Sequence, residues 1–416
     1  MRQAANFLPL LPVLPVLFTL LGLSLGPPAV AAAEPEHHSQ RIFPVEPWHN
    51  HGSCIVEAPN GDLLACWFHG SGERKADDVR IEAARLPAGS RTWGQRFVLA
   101  DTPGYPDCNP SLHVDPRGRL WLFYPTILDH RWEGALLKYR VSTDWQETTP
   151  PRWERSEVLH VTPGPEFDAA IARRLPELEQ AAGVASWDDR TRREVEEYLE
   201  SMRTHATNKL YRRLGWMPRA HPIQLGERLI LGLYHDGFSC SLMAITDDDG
   251  LHWRTSTPLI GGGNIQPSLA RRRDGTLVAC MRDNGPPPKR LLMATSGDLG
   301  ETWGPVSDSE IPNPGSGADV LVLADGTWAF IGNDTESGRH SLAVWLSDDE
   351  GRTWRWRRAL ERVEPGRGSF SYPSLIQTRD GWLHATYSDH PGGGGTIAHA
   401  AFNAEWVRAG ADTPAP

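Results

Sequence analysis

TDDDGLHW (246–253), SGDLGETW (296–303) and SDDEGRTW (347–354) are three versions of one turn, and their closing tryptophans, Trp253, Trp303 and Trp354, stand 50 and 51 residues apart. A second, Gly-centred turn accompanies them, at Gly61, Gly118, Gly226, Gly275, Gly326 and Gly381. Short runs rich in β-branched and aromatic residues flank it, such as Leu63 to Phe68 and Leu277 to Met281. Strand, tight turn, strand is the reading of that pattern. A further strand pair around each tryptophan-ending turn brings the unit to four strands, and the six glycines predict six units.

One interval is out of step. Gly118 and Gly226 lie 108 residues apart, and residues 166–214 between them carry a helical pattern, with Val195, Tyr198, Leu199 and Met202 at i, i+3, i+4 and i+7. Without those 49 residues the spacing falls to 59, so they read as a helical insertion in an otherwise regular array. Six four-stranded units closed in a ring form an all-β, six-bladed propeller, whose sheet edges are short and protected. A two-sheet sandwich has no need of so regular a period. The aspartates of the repeated turn are expected to accept hydrogen bonds from their own backbone and do no chemistry. Their recurrence from unit to unit favours architecture over a single active site.

The formal charge of −10 excludes nucleic acid and anionic membrane as general partners, so any anion site must be a local arginine cluster. Residues 1–33 read as an export signal: Arg2, a proline-broken apolar run from Phe7 to Leu25, and small residues at 29–33. This predicts a periplasmic or extracellular protein without a membrane span after processing. A linker at 34–44, the propeller over 45–405 and a tail at 406–416 complete the expected organisation. Five cysteines are too few and too scattered for a disulfide framework, and Cys66 and Cys280 read as core thiols. Asn333-Asp334-Thr335 matches the N-glycosylation acceptor pattern. His49 and His51 lack a third ligand, so no metal or other cofactor is expected.

Equivalent positions of a ring share radius and face. Nine residues before the turn glycine come Asn109, Gln266 and Tyr372; seven after it comes Arg282; twelve or thirteen after it come Glu73 and Arg339. These six side chains are expected to meet at the mouth of the central channel, the concave place to look for function.

The repeated Asp-turns, Arg282-Asp283-Asn284, Arg339 ahead of SDDEGRTW, and Ser369-Phe370-Ser371-Tyr372-Pro373 together resemble the sialidases (neuraminidases) of the six-bladed type, over roughly residues 45–405. The resemblance implies a carboxylate clamp containing Arg282 and Arg339, and Tyr372 as the nucleophile. His51 stands where that family has its first arginine, and Gln266 where it has the tyrosine-activating glutamate. Asn109, Asp283 and Asn284 join the expected substrate-binding set. For the acid, Glu73 is the first choice, followed by Asp77 and Asp78. Two carboxylates, Glu73 with Asp283 or Asp319, would serve a mechanism that does without tyrosine.

Three functions are therefore expected in order: an exo-glycosidase releasing a terminal acidic sugar, such as sialic acid, from a glycan; a glycan-binding propeller without turnover; and a polysaccharide lyase acting on uronic acids. The insertion and the oligomeric state have no signature in the chain.

Overall fold

A computed structural model describes Met1 and residues 33–146, 149–164 and 166–410. The predicted export signal lies outside the described residues except at its two ends. Six antiparallel sheets follow one another along the chain. Blade 1 is His49–Glu57, Leu63–Gly70, Arg80–Leu86 and Phe97–Ala100; blade 2 is Ser111–Val114, Leu120–Ile127, Ala135–Ser142 and Arg155–Val158. Blade 3 has its inner strand in two pieces, Trp216–Pro218 and Ile223–Leu225, then Arg228–His235, Cys240–Thr246 and Arg254–Thr255. Blade 4 is Asn264–Arg271, Leu277–Asp283, Arg290–Ser296 and Ser307–Pro312; blade 5 is Asp319–Val322, Trp328–Gly332, Ser341–Ser347 and Trp356–Arg362. Blade 6 takes Ser369–Gln377, Leu383–His390 and Thr396–Phe402, and its outer strand is His37–Arg41 from the other end of the chain. Strands are called A to D from the axis outward. The A strands neighbour one another around the ring, which is thus a six-bladed propeller.

The ring closes through a segment expected to be linker. His37–Arg41 pairs in register with Thr396–Phe402, although its side chains are mostly exposed. A strand that buries no face has no apolar alternation, which is why HHSQR gave no strand signal. Likewise the expected tail holds most of a short helix, α3 (Ala404–Ala409), whose Trp406 stacks on His37 with ring centroids 4.4 Å apart.

The Asp-turns are scaffolding. Asp298 accepts from the backbone N–H of Thr302 at 2.9 Å and from the Ser296 hydroxyl at 2.8 Å, while Gly300 takes a positive φ. Asp248 and Asp349 repeat the arrangement on His252 and Thr353. Trp253 packs on Phe123 and Tyr139 of the preceding blade, tying units together. These turns share a face with the Gly-centred turns, opposite the B–C loops.

The insertion forms α1 (Glu166–Val184) and α2 (Asp189–Ala206), the latter capped by Asp188, which accepts from Thr191 N–H at 2.7 Å. Leu199 and Met202 of its apolar stripe are buried against blades 2 and 3. Among the described residues no helix is long and apolar enough to cross a membrane, and all five cysteines are free and buried. Asn333 is buried and donates to the carbonyls of Ser341 and Phe370, at 2.6 and 2.9 Å. That amide has no room for a glycan, so the acceptor motif is coincidental.

Candidate functional site

The position nine residues before each turn glycine is Gly52, Asn109, Met217, Gln266, Gly317 and Tyr372 around the ring. In blades 1, 4 and 6 the ladder shifts register there, between His51 and Cys54, Ile265 and Ser268, and Ser371 and Ser374. Each bulge turns one residue out of the pleat, and φ is +63° at Gly52, +56° at Gln266 and +55° at Tyr372; Asn109 of blade 2 has +41°. Left-handed backbone costs a residue with a Cβ about 1–2 kcal/mol. The strain recurs at three polar residues of one ring, and the bulges of blades 4 and 6 aim Gln266 and Tyr372 at the channel mouth. Gly317 keeps the centre open: a Cβ there would stand 3.0 Å from Gln266 Oε1 and 3.5 Å from the Tyr372 ring.

Above this ring five B–C loops or strand ends each lend one side chain: Glu73, Trp132, Asp236, Arg282 and Arg339. With His51, Asn109, Tyr234, Gln266, Asn284 and Tyr372 they line a cavity of about 410 Å³. All six side chains expected from the repeat lie in it. Tyr372 occupies the middle. Its Oη accepts from Arg282 Nη1 at 2.7 Å and from Gln266 Nε2 at 3.2 Å. The guanidinium carbons of Arg339 and Arg219 lie 5.3 and 5.1 Å from its ring centroid. Burial works to raise the phenol's pKa, but Arg282 and Arg339 outweigh it and hold it below the usual value. The oxygen is an acceptor from two donors, with no carboxylate among its hydrogen-bond partners, so the field of the arginines stands where a base was expected.

His51 lies against Tyr372, ring centroids 4.3 Å apart. Burial, aided by His49, His390 and nearby arginines, puts its pKa well below the ordinary range, so it is neutral at pH 7 and cannot supply the charge of an arginine. Arg339 Nη2 donates to Gly315 O at 2.8 Å. That leaves it clear of Asp334 and Glu336, the nearby carboxylates of its own loop, which pair with Arg362 and Arg290. Asn109 donates to Tyr234 Oη at 3.1 Å, and Asn284 bridges from Arg282 to the Ser239 hydroxyl. Buried polar atoms without a partner gather here: His51 Nδ1, Gln266 Oε1, Arg282 Nε and Arg219 Nε. Such groups cost free energy unless a ligand or solvent serves them.

Four expected residues are elsewhere. Asp78 accepts from the N–H and hydroxyl of Ser71, capping its own loop, and Asp77 faces His130 at 2.6 Å on the exposed rim. Asp283 turns away from the cavity and accepts from Gly285 N–H at 2.7 Å and Arg290 N–H at 3.2 Å. Asp319, the other carboxylate of the tyrosine-free mechanism, is committed below the floor to Ser268, His221 and Leu375 N–H. Glu73 does line the cavity, ion-paired with Arg74 at 2.7 Å.

Five residues were not foreseen. Asp236 opens the B–C loop of blade 3; burial pushes its carboxyl up to about 6 against the pull of Arg282. It occupies the same connection that yielded Glu73 and Arg339 in other blades, and that equivalence could have found it. Tyr234 and Trp132 line the walls. Arg219 arises where the inner strand of blade 3 breaks. Fully buried, it donates to Ser53 O at 3.2 Å and Pro373 O at 3.0 Å, pinning the bulges of blades 1 and 6 beneath Tyr372. The same break delivers His221. Burial opposes its imidazolium, but Cys54 at 3.3 Å and the Asp319 carboxylate hold its pKa well above the ordinary value.

No curated protein matches the chain in sequence. Among solved structures the fold is similar to a Dyadobacter fermentans protein of unknown function, with TM-score 0.62 and 16% identity over 88% of this chain and 97% of that one. It is similar also to the NanB sialidase of Streptococcus pneumoniae (0.63, 12%, 86% and 69%). A third is the intramolecular trans-sialidase of Ruminococcus gnavus, solved with oseltamivir carboxylate (0.61, 13%, 88% and 96%). Identities this low establish a shared sialidase-like architecture and nothing finer. The family described as BNR repeat-like domain matches residues 61–170 and 205–385, most of the propeller, and the chain belongs to it.

Proposed function

We propose that this protein is an exported, retaining exo-glycosidase that releases a terminal acidic sugar, with Tyr372 as its nucleophile. The observation that carries the reading is the phenol oxygen accepting from Arg282 and Gln266 in a cavity that also holds Arg339. Arg282 and Arg339 bind the substrate carboxylate, for which planar guanidinium donors are suited. Tyr372 Oη attacks the anomeric carbon as the glycosidic bond breaks, and the leaving oxygen takes a proton from Asp236, whose carboxyl is held at about 6. Water then attacks the glycosyl–tyrosine bond, its proton returns to Asp236, and the phenolate leaves. Gln266 cannot take a proton; it steadies the phenolate by donating to it. A phenolate stabilised by fixed cations needs no partner base. Glu73, engaged with Arg74, shapes the rim.

Gln266 also favours a second reading: a propeller that binds the acidic glycan and does not turn it over. A panel of terminal sialosides, other ulosonides, uronides and rhamnosides, scored by release of free sugar, separates the two. Release from the acidic glycosides, lost in Tyr372→Phe, supports the hydrolase. Binding of the same glycosides without release supports the second reading. Hydrolysis of neutral sugars alone removes the carboxylate clamp, and an unsaturated product marks eliminative cleavage.

A further inference from the structure

An unexplained space of about 590 Å³ lies beside the arginine cavity, between the helical hairpin and blade 4. Its floor is backbone. Gly263 has φ +108°, and a Cβ there would meet Gly285 N at 2.3 Å; a Cβ on Gly285 would overlap Gly262 O. The two loops therefore cross main chain to main chain, and the Pro286–Pro288 run makes one wall stiff. The facing wall is Leu178, Trp187, Val195 and Tyr198, all only partly covered by protein. On α2, Leu199 and Met202 are buried in the packing against the propeller, while Val195 and Tyr198 pack beside them only in part and leave apolar surface lining the chamber. Tyr198 Oη donates to Phe238 O at 2.9 Å, fixing the helix to the loop that carries Asp236.

Asn284 lines both cavities. A molecule whose carboxylate is held by Arg282 therefore has this space as its neighbour across Asn284. Charge decides what can occupy it: Glu194, Asp283 and Asp308 border the chamber, with no arginine or lysine among its lining side chains. A second anionic sugar is disfavoured there, and an uncharged apolar group is accommodated.

We infer that the hairpin chamber is the leaving-group subsite, and that the natural substrate joins an acidic sugar to an apolar aglycone. The inference rests on the glycosidase reading for its sugar and on the chamber for its aglycone, and the two are tested separately. Binding is measured by calorimetry on full-length Tyr372→Phe with N-acetylneuraminic acid methyl glycoside, its 4-methylumbelliferyl glycoside, and 4-methylumbelliferone alone. The aryl glycoside is expected to bind at least tenfold more tightly than the methyl glycoside. Val195→Asp and Trp187→Ala abolish that advantage and leave the methyl glycoside unchanged. Umbelliferone alone binds, loses affinity in Val195→Asp and keeps it in Arg282→Ala. If neither glycoside binds while umbelliferone does, and Val195→Asp still weakens it, the sugar assignment falls and the apolar subsite stands. Equal affinity for the two glycosides, or an aryl advantage that survives both chamber substitutions, overturns the inference.

Discussion

Arg282→Met keeps the side chain's length and removes its charge from the phenol oxygen of Tyr372, which Arg282 Nη1 contacts at 2.7 Å. The centres of charge stand roughly 4 Å apart, and at an effective dielectric of about 20 their attraction is about 4 kcal/mol. Arg339 and Arg219 remain on the ring faces, and water enters the vacated space. Both soften the loss, to about 2–3 kcal/mol, a decrease of roughly 30- to 150-fold in the phenolate-to-phenol ratio at fixed pH. The assay is ultraviolet titration of phenolate absorbance. Subtracting the curve of Tyr372→Phe isolates one phenol from the eight in the chain. The Tyr372 difference curve is expected at lower pH than an ordinary tyrosine, and to move to higher pH in the Arg282→Met background. Arg282→Lys, which keeps the charge without the planar fork, moves it less. A wild-type curve at or above the ordinary phenol range would mean that desolvation wins over the arginines. A curve indifferent to Arg282→Met would refute the field argument itself.

Asp236→Asn is expected to lower kcat by about 10²–10⁴ for alkyl glycosides, whose leaving oxygen must be protonated, and far less for aryl glycosides. It also removes the limb near pH 6 from the kcat/KM profile of the wild type; equal losses for both leaving groups would dismiss it as the acid. In the channel floor, His221 has a folded pKa above its unfolded value of about 6.5. Its contribution to stability is therefore complete below that pH and is lost as pH rises through the folded value. Melting temperature should decline into the alkaline range, and His221→Asn should flatten that decline; parallel curves would contradict the assignment. Asp298→Ala, which leaves Thr302 N–H and Ser296 without their acceptor, is expected to destabilise by about 1–2 kcal/mol in denaturant unfolding. It leaves kcat untouched because the turn is on the opposite face, and a catalytic defect would return the Asp-turns to the active site.

The ring was legible because repetition turns a local signal into a global coordinate. Once the turn glycines were placed, counting back nine residues reached Asn109, Gln266 and Tyr372, and counting forward reached Glu73, Arg282 and Arg339. What escaped was whatever departs from repetition. Arg219 and His221 sit in a break of blade 3's inner strand just after the helical insertion, where no other blade offers an equivalent. Asp236 is the exception: it stands ten residues after Gly226, between the spacings of Arg282 and Glu73, and was within reach of the same count. Asp77 and Asp78 were overvalued because a loop rich in carboxylates looks the same whether they serve a ligand or cap their own backbone. His37–Arg41 was hidden for a different reason: an edge strand that buries no face has only its backbone to announce it. The positive φ of Gln266 and Tyr372 belongs to the same class, since the bulges that impose it are a property of strand pairing.

The most direct test is chemical capture on Tyr372. The protein is treated with the 3-fluoro glycosyl fluoride of the sugar that it releases, in which fluorine slows hydrolysis of the glycosyl–enzyme, and is then digested and sequenced by mass spectrometry. One glycosyl group on Tyr372, formed with loss of activity and absent from Tyr372→Phe, is the predicted result. Continued turnover without an adduct, or a label on Glu73 or Asp236, would contradict the arginine-stabilised phenolate as the nucleophile.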